Sequence, residues 1–368
     1  MNLDNLHRLI DKYEENFYEL NNSDHDESFK WRAAKKFRDV WFSEQSKSLK
    51  FSEKFNEARK EFFILMDNSY VSPSNGIVKL AEKEQDTVEY LFNEVLFADD
   101  GGNIVARQDN MEKFLGLIDE LRVKYYPQSF KFKQDRHSAS CYLFFYAPDT
   151  NYIYRYSEAE AFAQHVEFGK DMGSGQYFRL DYYYEMCDKV VEALKEHPTL
   201  LDKHFTFIND KHYKDDSLHL LAFDVMYCSR AYNFYNGMTH VSKKESIKAF
   251  TEAEAREKER VEKENKIAEL QNEIFNLEMS IEKYTPISLL NVEVVHHKYG
   301  KGIIMSQDIN KVNIKFDSCE KIFVIHKKYA GRPTFENDTE IVEAMSEYDD
   351  ALQQIKKLKT QIDLLLWH

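Results

Sequence analysis

Apolar positions along this chain recur at steps of three and four residues almost throughout, and at steps of two in one short stretch. Ile267, Leu270, Ile274, Leu277, Ile281 and Tyr284 alternate steps of three and four, which is the seam of a coiled coil. Ile341, Met345, Tyr348, Leu352 and Ile355 repeat it, and Leu358, Ile362 and Leu365 resume after a step of three where four was due. Between the seams, from Asn291 to Ile325, the period falls to two and Val, Ile, Phe and Gly take over. The pattern predicts a mainly α chain that ends in an antiparallel coiled-coil stalk carrying a small β-barrel. The first stalk helix, Lys243 to Tyr284, is about 42 residues and on the order of 63 Å long; the returning one, Asp338 to Leu365, is about 28 residues. The rival arrangement is a homodimer through Ile267, Leu270, Ile274, Leu277 and Ile281, because Ile at one seam position and Leu at the other also suits two parallel chains.

Upstream, Leu6, Ile10, Tyr13, Phe17 and Leu20 predict a helix stopped by Asn21-Asn22-Ser23-Asp24. A second starts near Ser28, with Trp31, Ala34, Val40 and Trp41 beside Arg32, Lys35, Lys36 and Arg38. Further helices are expected over 52–66, 77–97 and 107–125, which makes 1–125 a helical domain. Beyond Tyr125 the aromatic run Ser140–Tyr146, bounded by Pro148-Asp149 and followed by Tyr152-Ile153-Tyr154, predicts a short strand pair near 140–154. Helices over 180–196, halted by Pro198, and over 217–235 complete a mostly helical α+β domain at 126–240. The rest divides into a coiled-coil helix at 241–286, a β-barrel at 287–330 and a returning helix at 337–368.

Charge changes this picture in one place. The 368 residues carry a formal net charge of -14, so the mean field repels phosphate and argues against a chain that binds nucleic acid or anionic membrane over its whole surface. Between His296 and Arg332, however, eight cations face three acids, a local excess of five. Lysines on short strands also keep sheet edges from pairing with other chains, but one or two suffice for that. No run approaches a membrane span and the first residues lack a basic stretch followed by an apolar core. A soluble, cytoplasmic protein with no membrane partner is expected. Cys141, Cys187, Cys228 and Cys319 form no CxxC pair, so neither a disulfide framework nor a cysteine-rich zinc site is expected.

The strings LFADDGGNIVARQ, FFYAPDTNYIYR and LDYYYEMCDKVVEAL resemble segments of a family of uncharacterised bacterial proteins over about residues 89–235. That resemblance implies a bacterial cytoplasmic origin and no particular chemistry. Over residues 292–326, H-x-K-Y-G-K-G-I-I followed by V-x-I-x-F and K-x-F is similar to the Tudor-like (SH3-like) barrel at the C-terminus of some superfamily-1 DNA helicases. This second resemblance implies docking to RNA polymerase, another protein or nucleic acid.

Catalytic signals are sparse. His197, His204, His212 and His219, near Asp202, Asp210, Asp215 and Asp216, concentrate the metal-capable side chains. Pro198 and a polar loop over 205–214 divide that segment, no metal-binding spacing appears, and neither metal nor cofactor is expected. No P-loop, G-x-S-x-G or paired nucleophile is present either. The reading is a non-enzymatic interaction or adaptor protein that binds a nucleic acid or a nucleic-acid-processing protein through Lys298, Tyr299, Lys301, Lys315 and Lys321. The alternatives are a metal-dependent hydrolase or nuclease of a bacterial defence system, with its site near His204, Asp210 and His212, and a dimeric structural scaffold.

Overall fold

The computed structural model describes residues 1–22, 24–282 and 287–367, so Ser23 and the seam position Tyr284 lie outside the described residues. The chain forms two compact units, Met1–Glu252 and Ala253–His368.

The first unit is helical: α1 (Leu3–Glu15), α2 (Phe17–Leu20), α3 (Phe29–Trp41), α4 (Phe51–Ala58), α5 (Phe63–Met66), α6 (Pro73–Ala81), α7 (Gln85–Tyr90), α8 (Ile104–Tyr125), α9 (Arg136–Tyr146), α10 (Tyr156–His165), α11 (Leu180–Lys195), α12 (Pro198–Phe207) and α13 (His219–Ala231). Local chemistry sets the ends. The Asn2 side chain accepts from Asn5 N at the start of α1, and Asn103 accepts from Val105 N and Ala106 N at the start of α8, each supplying an acceptor to an otherwise orphaned amide. Leu6, Leu9, Ile10 and Tyr13 line the inner face of α1, and one core runs from Leu6 to Phe234. The helices on either side of residue 125 share it.

The aromatic run Ser140–Tyr146 is α-helical, and among the described residues no strand lies near 140–154. Asp135 accepts from Ser138 N while Ser138 Oγ accepts from Asp135 N, a reciprocal cap that nucleates α9. Ser138 through Phe145 are all buried, so the helix is apolar all round and carries the uninterrupted signature of a buried strand. Tyr152-Ile153-Tyr154 is extended but has side-chain partners in place of a ladder: Tyr154 N donates to Ser140 Oγ and Tyr183 Oη donates to Ile153 O. Pro198 likewise opens α12 at its first position, where its missing amide proton costs nothing. Residues 198–207 are therefore a helix and the loop expected over 205–214 begins later.

In the second unit, α14 (Lys243–Glu282, whose first turns belong to the other unit) precedes an antiparallel meander of β1 (Glu293–His296), β2 (Gly300–Asp308), β3 (Lys311–Phe316) and β4 (Glu320–Val324), in that order across the sheet. Val312, Ile314 and Phe316 point inward while Lys311 and Lys315 point out, as the two-residue period dictates. Gly302 is glycine because a Cβ there would lie 2.6 Å from the Phe316 ring. The sheet curls until the His296 ring on β1 and the Phe323 ring on β4 are 4.9 Å apart. Among the described residues β1 and β4 form no ladder with each other, and Thr334 bridges the outer edge of β1.

The core of the module is completed by α15 (Asp338–Trp367), whose Val342 and Met345 pack with Leu289, Val294, Ile304, Val312 and Ile325. Later in α15, Ile355 and Leu358 pack with Leu270 and Ile274 of α14. Polar contacts fix the direction. Glu273 and Gln354, 2.9 Å apart, each precede a seam isoleucine, and Glu278 and Lys359, 3.0 Å apart, each follow a seam leucine. Equivalent flanking positions face one another only in helices of opposite direction; parallel helices pair the flank before one seam residue with the flank after the other. The stalk is thus an antiparallel pair within one chain, with Leu270, Ile274, Leu277 and Ile281 of the first seam packed against α15.

Candidate functional site

The strand register sorts the five expected contact residues. Val295 pairs with Lys301, and Ile303 pairs with Lys315, so Lys301 and Lys315 share the outer face of the sheet. Lys321 pairs with the inward residue Ile314 and points to the opposite side. Lys298 sits in the turn between β1 and β2, its Nζ 5.5 Å from the centre of the Tyr299 ring. That ring is half-buried, stacked 4.9 Å from His296 and tilted against Phe316 at 5.4 Å, and belongs to the rim of the core. The lysines therefore do not converge on one point.

Charge on the module is also divided. Lys328 Nζ lies 2.6 Å from Asp350, and Arg332 is bidentate to Asp338 at 2.6 and 2.7 Å. These cations dock the sheet onto α15. Among the described residues no carboxylate forms a salt bridge with Lys298, Lys301, Lys311, Lys315 or Lys321, which leaves their charge facing solvent.

A feature missed in the sequence is the aliphatic character of the outer face. Val295, Ile303, Met305 and Ile322 are 52%, 44%, 51% and 72% exposed. Ile322 pairs with Asn313, two residues before Lys315, and so joins the same face. Met305 follows the inward Ile304 and faces outward by the same alternation, at a bulge between Ile304 and Ser306. The signal was legible in Ile303-Ile304-Met305, because three successive apolar residues in a strand must put apolar groups on both faces.

The helical unit holds a cavity of about 1130 Å³ between the 24–29 segment, the ends of α5 and α9, and α13. Behind two of its wall residues, Glu27 and Tyr227, the fully buried Lys30 ammonium is paired with Glu27 and Asp224, and stands over the Tyr227 ring at 4.1 Å. Tyr13 Oη donates to Asp224 and Tyr232 Oη to Glu27, both at 2.5 Å. Burial opposes the cation, but Asp224, Cys228 and Glu27 outweigh it and raise the Lys30 pKa. Lys30 stays protonated, so it offers neither a nucleophile nor a base. In the cavity wall, burial of His137 is outweighed by Cys141 and the Leu65 carbonyl, and its pKa is raised to about 9. The cavity wall also carries His25, Asp26, Asp67, Asp135 and Arg136, an arrangement of mixed charge that can hold a polar ligand.

The four histidines do not form a cluster. His204 is buried with its ring 5.2 Å from Trp31, and burial followed by His212 lowers its pKa to about 4. His212 is 3.1 Å from Asn209 Oδ1, beside a surface cleft that includes Asp210. His219 stacks 4.0 Å from Tyr152, and His197 faces His7 on α1. Among the described residues, the one place where three metal-capable groups come within 4.8 Å is Glu27, Asp224 and Cys228, where the Lys30 ammonium already supplies the counter-charge. Cys141, Cys187 and Cys228 are buried and unpaired. Among the described residues no helix is long and apolar enough to cross a membrane. Comparison with family models, curated proteins and solved structures finds no match.

Proposed function

We propose that the chain is an interaction protein whose docking surface is the outer face of the β module. The observation that carries this reading is the row of exposed Val295, Ile303, Met305 and Ile322 bordered by Lys301 and Lys315. Apolar residues grouped on one sheet face and rimmed by unpaired cations suit a partner with apolar and acidic groups. The similarity of residues 292–326 to Tudor-like barrels supports the same role. Of the two partner classes, a protein of the nucleic-acid machinery is favoured over nucleic acid itself. Single strands are held by exposed aromatic platforms, and this face carries aliphatic side chains.

The test is capture of partners by the full-length chain and by an Ile303→Asp/Ile322→Asp variant, each with and without nuclease. Capture should survive nuclease and fail in the variant. Nuclease-sensitive capture would transfer the assignment to nucleic acid, and capture unchanged in the variant would remove the face from consideration.

A further inference from the structure

Tyr154 is 5% exposed, and its amide and carbonyl are engaged by Ser140 and His137. Its hydroxyl has no hydrogen-bond partner among the described residues, yet is not sealed in protein. The ring lines the cavity of about 1130 Å³ in the helical unit, and the hydroxyl opens there. A buried hydroxyl takes its partner from whatever fills such a space.

The hydrogen-bonding capacity left on the wall around it is that of donors. Arg136 Nε bonds Glu112, and Arg155 Nε stands 3.4 Å from Glu158. Among the described residues the terminal nitrogens of both guanidiniums have no acceptor, and Lys133, on the same wall, has no carboxylate partner. The Arg136 guanidinium lies 4.9 Å from the centre of the Phe178 ring, which is 4.6 Å from that of Tyr154. No side chain caps α10, whose first-turn residues Tyr156 and Ser157 face the cavity; the free amides there favour an anion. Glu158, in the same turn, is held by Arg155 and Arg230. The acids of the wall are committed elsewhere: Asp26 to Arg32, Glu27 to Lys30 and Tyr232, Asp67 to Arg59 and Ser74, and Asp135 to the cap of α9. Asp24 stands at the exposed rim.

Around the cavity Phe130, Ile64 and Tyr156 are 70%, 60% and 53% exposed, apolar surface that a ligand would cover. We propose that the cavity binds a mononucleotide, its phosphate held by Arg136, Arg155, Lys133 and the Tyr154 hydroxyl and its base laid against Phe130 and Tyr156. A phosphoryl group, with three acceptor oxygens and nearly two charges at pH 7, matches two guanidinium forks and an ammonium better than a singly charged carboxylate does. An aromatic base stacks on exposed aromatic rings with little regard to its identity. The volume lies at the upper end of small-molecule sites, about 300–1,000 Å³, and so leaves room for base, ribose and phosphate together.

The experiment is calorimetric titration of the full-length chain with AMP, GMP, CMP and UMP, and with adenosine and guanosine. At least one nucleotide is expected to bind once per chain, and its nucleoside at least tenfold more weakly. Arg136→Gln and Arg155→Gln should each weaken nucleotide binding at least tenfold, and Tyr154→Phe several-fold. Lys47→Gln, an exposed cation away from the cavity, should leave it unchanged. Circular dichroism verifies the fold, and Arg155→Gln, whose side chain is 40% exposed, provides the reading should Arg136→Gln unfold. Failure of all four nucleotides to bind would overturn the proposal. So would equal affinity for the nucleosides, or full-strength binding in Arg155→Gln.

Discussion

The Nδ1 atom of His137 lies 2.8 Å from the carbonyl oxygen of Tyr154, and Nε2 of the same ring lies 3.0 Å from that of Leu65. A carbonyl only accepts, so both nitrogens must donate and the ring is an imidazolium. It ties the start of α9 to two other segments of the helical unit. The folded-state pKa, about 9, stands above the ordinary 6.5. The stabilisation is therefore fully present below about pH 6.5 and is lost as pH rises through about 9. Thermal unfolding midpoints should fall between pH 6.5 and 9.5, and more steeply than in His137→Gln. Equal slopes in the two proteins would show that the ring is neutral.

Lys30 lies behind Glu27 and Tyr227, two residues of the cavity wall that His137 also lines. Lys30→Met leaves Glu27 and Asp224 buried and facing each other, and should cost about 3–5 kcal/mol. Adding Asp224→Asn should recover a large part of that loss, because the second change removes the uncompensated charge. Urea unfolding measures both. Additive losses would mean that the ammonium and the carboxylate do not act as a pair.

The stalk makes a directional prediction. Ile274→Ala removes a buried seam side chain and should destabilise the second unit by about 2 kcal/mol, the low end for such truncations, because a two-helix seam is thin and collapses readily. Lys359→Glu should cost no more than about 1 kcal/mol, as the pair it breaks with Glu278 is exposed. Glu278→Lys combined with Lys359→Glu should restore the loss. Restoration requires the antiparallel register, since parallel helices would not bring these positions together.

The stalk and the strands were legible because their signals are local. Steps of three and four from Ile267 to Ile281 and strict alternation in Lys311–Phe316 each describe one element with one wet side. Ser140–Tyr146 failed for the opposite reason: a helix buried on every face has no polar side from which to read a period. Of the site, the lysines of β2 and β3 were found from composition. Which face each one occupies depends on the pairing of Ile303 with Lys315 and of Ile314 with Lys321, and a single strand does not contain that information. Lys30 and Asp224 meet across 194 residues, as do His7 and His197 across 190. Neither pair leaves a spacing in the sequence. Lys30 does sit one turn before Ala33 and Ala34 and two turns before Phe37 on the buried face of α3, the local sign that its charge requires a partner.

The central claim is that the outer face of the β module is where a partner lands, and site-specific photo-crosslinking tests it most directly. A photoreactive residue at position 322, in place of the 72% exposed Ile322, is compared with one at position 105, in place of Val105 on α8, which is 60% exposed. The account predicts that one protein is crosslinked from position 322, that the yield falls when Lys301 and Lys315 are changed to Glu, and that position 105 gives no such product. Equal crosslinking of the same partner from position 105, or its appearance there alone, would contradict the claim and move the binding surface to the helical unit.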